Sequence, residues 1–303
     1  ALLLRMRSHP LPESRYYADL MLKELRKVIP SFLERVDRED RGVVWSGYLE
    51  ETREDTADVV SALFPEGSVV DPSPTVRLVD FDPEGEIKMV ASMMYQHSTM
   101  SEEQLERRVA AMNHEDRMAV IRAYVGDRRN RRHKPGRALE RPFYRFDVLV
   151  DYGAFRDLQR HRMLSMDWQK LSPHHGYISS PLVEAAGMSG VYEEAMHRSA
   201  DLYDLLVDDF PDQASYAISL AYKIRFNMNI NARSAMHLIE LRTTPQGHPS
   251  YREVGQEMHR LIAEEAGHTA IAEMMKFVDH TDETDLERLQ SERRAQEKRQ
   301  STK

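Results

Sequence analysis

Residues 160–162 read Arg160-His161-Arg162, and a later stretch reads Asn231-Ala-Arg-Ser-Ala-Met-His237-Leu-Ile-Glu-Leu-Arg242. Neighbouring side chains on a helix sit about 100° apart at roughly 3.6 residues per turn, so three adjacent cationic or protonatable groups cannot share one face. They fan out instead, as suits a helix end or corner that reaches several oxygens of an anionic ligand. In the later stretch Asn231, Ser234, Leu238 and Leu241 fall on one helical stripe, and Arg233, His237 and Glu240 on another. A helix of this kind is either a solvated face or the wall of a polar site. Taken alone, Arg160-His161-Arg162 has an ordinary structural account, because cations near a helix C-terminus are favoured by the helix dipole.

Working outward, Phe143 to Val150 alternates apolar and polar residues as a strand does, and Gly153 to Arg162 then makes a helix that carries the Arg-His-Arg. Val76-Arg-Leu-Val-Asp-Phe81 alternates in the same way and is the first strand. Helices follow it, with Ser101-x-x-Gln104 as a capping box and Asn113-x-x-Asp116 as a second cap. Beyond the Arg-His-Arg, helices are expected over about 190 to 208, Asp212 to about Arg242, and 250 to 278. Arg128-Arg-Asn-Arg-Arg-His-Lys134 is a basic run, read first as a solvated loop and second as a phosphate contact.

The N-terminal part has an echo further on. Leu2-Leu-Leu-Arg5 with His9-Pro10 parallels Ile239-Glu-Leu-Arg242 with His248-Pro249, and each is followed by a charged amphipathic helix and a shorter apolar segment. Residues 1–36 are therefore expected to be the tail of a preceding copy of the same domain. Residues 37–69 are expected to be a linker with a helix, 70–280 the domain itself, and 281–303 a charged tail. The turn-rich stretch Gly67 to Pro74 marks the boundary.

Forty-two Lys plus Arg against fifty Asp plus Glu leave a net charge of −8 over 303 residues, which weighs against nonspecific binding to nucleic acid. Any anionic ligand is then held by local Arg clusters. There is no Cys, so disulfides, thiolate catalysis and thiolate metal sites are excluded, and a cytoplasmic location fits. No apolar run approaches the ~18 residues of a membrane span.

The two opening stretches, in this order, resemble the flavin-dependent thymidylate synthases (ThyX). Their signature opens with Arg-His-Arg, and their later helix reads Asn-x-Arg-Ser, then a His or Asn, then Leu-Arg. The resemblance covers about residues 76 to 280. It implies an α+β fold, a small mainly antiparallel sheet flanked by long helices. It implies FAD as cofactor, NADPH as reductant, and reductive methylation of dUMP to dTMP with methylenetetrahydrofolate. It places Glu140, Arg160, His161, Arg162, Asn231, Arg233 and His237 on the flavin, and Arg160 and Arg242 on the substrate, where Lys170, a departure from the pattern, is expected to restore one phosphate contact. Arg242 takes the catalytic role, stabilising charge that develops during transfer. It also implies a homo-oligomer with sites at subunit interfaces, which a tandem protein reproduces with fewer chains.

The pattern frays on the nucleotide side. Where the family has an Asn-Glu pair followed by Ser, Gly and Arg, this chain has Asp167-Trp168-Gln169-Lys170-Leu171-Ser172. Asp157 stands in place of a Gln, and Ser215 in place of a phosphate-holding Arg. The copy is therefore expected to be impaired in dUMP binding. An alternative is a non-catalytic FAD-binding or scaffolding half of a tandem protein. A second is a di-iron carboxylate enzyme, since Glu194-x-x-His197 and Glu265-x-x-His268 have the spacing such a helical bundle uses.

Overall fold

The computed structural model describes residues 1–64 and 74–281, together with residues 292, 293, 296, 297 and 300. The boundary expected at 67–74 and the charged tail expected from Asp282 lie almost wholly outside the described residues. Two compact units result: Ala1–Pro72 with Leu202–Tyr216, and Ser73–Asp201 with Ala217–Lys303. No helix among the described residues is long and apolar enough to cross a membrane.

In the first unit α1 (Leu2–Arg7), α2 (Pro12–Leu25) and α3 (Pro30–Leu33) precede a π-helical turn and the long α4 (Val44–Leu63). Leu3, Ala18, Leu22, Leu33 and Val36 form its small core. Gly42 is required where it stands, because an added Cβ would lie 2.1 Å from the Val36 carbonyl oxygen. Helix α4 buries none of its residues, and Val44, Tyr48, Val59 and Leu63 are exposed on it.

The second unit is built on β1 (Val76–Phe81), β2 (Phe143–Asp151), β3 (Leu164–Trp168) and β4 (Lys223–Asn231). They form one sheet in the order β1-β2-β4-β3. Every pairing is antiparallel, with Tyr144 opposite Ile230 and Met166 opposite Met228. Between β1 and β2 come α5 (Gly85–Tyr95), α6 (Glu102–Ala111) and α7 (His114–Val125). The capping box at Ser101 and Gln104 forms, and Asn113 accepts from the Asp116 amide. Helix α8 (Tyr152–Leu158) joins β2 to β3, and α9 (Pro181–Ala185) and α10 (Ser189–Val207) precede β4. Helices α11 (Ala232–Arg242), α12 (Pro249–Glu264) and α13 (Thr269–Met274) complete the fold. It is an α+β architecture with a small antiparallel sheet and long helices.

The sheet alternates as its sequence does. Tyr144, Phe146, Val148 and Val150 of β2 and Ile224, Phe226, Met228 and Ile230 of β4 are buried on one face. Helices α5, α11 and α12 supply Met89, Met93, Leu238, Ile239, Met258 and Ile262 to the same core. Each such side chain contributes about 1.5–3 kcal/mol through burial.

Three expectations change. The helix foreseen from Asp212 to Arg242 is interrupted by β4, because Lys-Ile-Arg-Phe-Asn-Met-Asn-Ile-Asn has period two and no helical stripe. The helix at 153–162 ends at Leu158, so Arg160, His161 and Arg162 lie in the turn that leads into β3. The span 250–278 breaks at Gly267, whose φ of +68° ends one helix before the next begins.

One local contact recurs in the two segments, although the first helix is capped at Leu11 and the later one at His248. The His9 Nδ1 accepts from the Leu11 amide at 3.2 Å, and the His248 Nδ1 accepts from the Ser250 amide at 3.3 Å. In both places a helix with Pro in its first turn follows, and then a short helix.

Candidate functional site

The end of β4 places the site. Asn231, the last residue of that strand, caps α11 by accepting from the Ser234 amide at 2.9 Å. The helix therefore starts at a fixed point beside the turn that leaves α8. Arg233, His237 and Arg242 then project from α11 towards Arg160, His161 and Arg162, and these six residues line one cavity of about 380 Å³. Ser234, Leu241, Ile230, Leu164 and Met163 complete most of its wall.

The charges are unevenly matched. Arg242, with 13% of its side chain exposed, bonds from Nη1 to Asp157 Oδ1 at 3.1 Å and from Nη2 to the Asp157 carbonyl. Its Nε donates to His161 Nε2 at 3.1 Å, which puts the His161 proton on Nδ1. Its guanidinium also stands 5.3 Å from the Tyr251 ring centre. Asp157 pairs with Arg160 as well. Arg233 holds Glu140 Oε1 at 3.1 Å and the Pro135 carbonyl at 2.9 Å. Arg162 makes no hydrogen bond or ion pair among the described residues.

The two imidazoles meet edge to face with ring centres 5.7 Å apart. Burial pushes the His161 ring down to about 4, helped by the charges of Arg242, His237 and Arg160. His237 is lowered too, first by burial and then by Lys134, Arg131 and Arg242. Both rings are thus neutral at pH 7, and the positive charge of the cavity comes from guanidinium and ammonium groups. A cavity with an excess of fixed cations and two neutral donors is suited to an anion with several oxygens.

Of the expected site residues, the cavity gathers Arg160, His161, Arg162, Arg233, His237 and Arg242. Glu140 reaches it through Arg233. Asn231 serves the helix it caps and does not line the cavity, and Lys170 lies exposed beyond β3, away from it. Trp168 does not fill the cavity: it is 58% exposed on β3, against Phe155 at 5.7 Å, and lines a separate depression with Asp147 and Arg225. Lys134 belongs to the basic run read first as a solvated loop and second as a phosphate contact, and it lines the cavity. Loops carry no periodic signal, and only the run of basic residues marked it.

The two Glu-x-x-His pairs do not converge. Glu194 is exposed and bonded to Arg198, while His268 is buried against the Tyr144 hydroxyl at 2.8 Å with Glu265 exposed. Together with the sheet, this removes the basis for a di-iron bundle.

The model of the family described as Thymidylate synthase complementing protein matches residues 77–278, which hold the cavity and all four strands but for the first residue of β1. The chain belongs to that family. A UPF0159 protein of Chlamydia pneumoniae is 38% identical over 97% of this chain and 55% of its own length. A UPF0159 protein of Chlamydia muridarum is 36% identical over the same shares. The chain spans about half the length of these curated relatives. A solved structure of Thymidylate Synthase X (ThyX) from Helicobacter pylori, with FAD and dUMP, is 19% identical over 66% of this chain and 98% of that one, with a TM-score of 0.46.

Proposed function

We propose that this chain is a flavin-dependent thymidylate synthase domain that holds FAD in the cavity between α11 and the Arg160-His161-Arg162 turn. The observation that carries the reading is the convergence of six family-motif residues, Arg160, His161, Arg162, Arg233, His237 and Arg242, on one cavity whose cations outnumber its carboxylates. That donor set fits a diphosphate-bearing cofactor, because guanidinium forks hold phosphate oxygens bidentately. When bound, the reduced flavin supplies the hydride that turns the methylene of methylenetetrahydrofolate into the methyl of dTMP, with NADPH as the source of electrons. Arg162 binds a phosphate oxygen. His161, kept neutral by burial, donates from Nδ1, and Arg233 is held in place for the cofactor by Glu140. Arg242 stabilises negative charge on the pyrimidine carbonyl as it develops. Arg160 is the second contact to the nucleotide, and Lys170, which lies outside the cavity, is left without a part in it.

On the nucleotide side the chain is impaired. Asp157 already occupies Arg160 and Arg242, so dUMP has to displace a carboxylate to reach either of them. This observation supports a second reading, in which the chain is a cofactor-binding or scaffolding half that another copy completes. The same local contact at His9 and at His248, each ring accepting from the amide two residues on, supports residues 1–36 as the tail of such a copy. Sites shared between copies in a homo-oligomer follow from that arrangement.

The test is turnover: NADPH oxidation and dTMP formation with dUMP and methylenetetrahydrofolate. Slow or absent turnover with FAD bound supports the impaired domain, and robust dTMP production shows that the substitutions are tolerated.

A further inference from the structure

The basic run Arg128 to Lys134 is not a free loop. Its first residue is among the most buried cations of the chain: the Arg128 and Glu240 side chains are each 1% exposed. Arg128 holds Glu240 through two bonds, Nη1 to Oε1 at 2.7 Å and Nη2 to Oε2 at 2.6 Å. Nη1 also donates to the Met274 carbonyl at 2.6 Å, and the guanidinium stands 5.1 Å from the Phe277 ring centre. Glu240 belongs to α11, the helix that carries His237 and Arg242 into the cavity.

Arg128 Nε bonds the His133 carbonyl at 2.7 Å and so closes the loop on itself. Two residues further on, the Pro135 carbonyl accepts from Arg233 Nε at 2.9 Å. Lys134 is therefore bracketed by two carbonyls, one tied to a buried ion pair and the other to a cavity arginine. Its backbone has little freedom, and its side chain lines the cavity without a hydrogen bond or ion pair among the described residues. Arg131, half-buried in the same loop, likewise has none, and both cations act on His237. A clamp of this quality around an unpaired ammonium group is the arrangement expected of a phosphate contact, since Lys serves as a point charge for phosphate.

We infer that loop 128–134 is a phosphate-binding element of the cavity, in which Lys134 contacts a phosphate or diphosphate group and the Arg128–Glu240 pair is the positioning device. The inference rests on the anionic-cofactor reading above, and inorganic pyrophosphate tests it apart from that reading. Lys134→Gln is titrated with FAD, riboflavin and inorganic pyrophosphate by calorimetry. Loss of one charged hydrogen bond should weaken FAD and pyrophosphate about tenfold and leave riboflavin unchanged.

The positioning role is read by coupling. In an Arg128→Met, Glu240→Leu background, an apolar pair that well-packed sites tolerate, the loop is released and Lys134→Gln should cost nothing further. Should that background fail to fold, Arg128→Lys keeps the charge, loses the fork and reads the same coupling. FAD affinity unchanged by Lys134→Gln overturns the phosphate contact while leaving the flavin site intact. Pyrophosphate binding that depends on Lys134, with no FAD binding at all, overturns the flavin site alone. Protein that binds neither probe overturns both. A tenfold cost that persists in the released background overturns the clamp.

Discussion

Asp157 and Arg242 form a half-buried ion pair, with Nη1 3.1 Å from Oδ1 and the Asp157 backbone carbonyl taking a second guanidinium proton. Asp157 stands where the family resemblance places a Gln, and the same carboxylate also holds Arg160. One substitution therefore engages two of the three cations expected at the nucleotide.

Asp157→Gln should release them. A neutral amide still accepts from Arg242 but leaves its charge uncompensated, so dUMP should bind about tenfold more tightly, the scale of one charged hydrogen bond. Calorimetric titration with dUMP checks this. Unchanged or weaker affinity would show that the ion pair does not compete with substrate.

Arg233→Ala should weaken FAD binding by about 1–3 kcal/mol, because it removes a cation and the support of the Pro135 carbonyl together. Flavin fluorescence on titration measures the change. Unaltered affinity would return Arg233 to a purely structural bond with Glu140.

Stability should fall as pH drops from neutrality. Burial, first among the causes, holds His161 at about 4 in the folded chain, against 6.5 when unfolded. Between those values the unfolded chain takes up a proton that the folded one does not, so the folded state loses ground on acidification. His237, His259 and His268 are depressed in the same direction, each first by burial. The depressed carboxylates Asp82 and Asp279 act only below their ordinary 3.8, outside this window. Urea midpoints at pH 7.5, 6.5 and 5.5 should decline in order, and a rise towards pH 5.5 would contradict the assignment.

Tyr144→Phe should destabilise the second unit by about 1–3 kcal/mol, since it strips the buried His268 Nδ1 of its partner. The Nε2 of that ring already lacks one. The urea midpoint reports the loss, and an unchanged midpoint would show that the ring finds water instead.

Much of this architecture is legible in the residues. Val76–Phe81 and Phe143–Asp151 alternate cleanly and are strands, and the Ser101 and Asn113 caps form as their side chains require. Strand β4 alternates just as cleanly, but it abuts the helical pattern of α11, and the longer period masks the shorter one. Strand β3 has no burial signal of its own, because Ser165, Asp167 and Trp168 are exposed at the sheet edge. At the site, Arg160 to Arg162 and Arg233 to Arg242 follow from short motifs whose spacing is local. The roles of Glu240 and Lys134 depend on contacts between distant segments, such as Arg128 with Glu240, and no local pattern announces those.

The absorbance spectrum of the purified protein, incubated with excess FAD and desalted, tests the central claim most directly. A yellow protein that retains oxidised flavin, and loses it when Arg162 and Arg233 are both replaced by Ala, is the result expected. A colourless protein after the same treatment would contradict the assignment of this cavity to FAD.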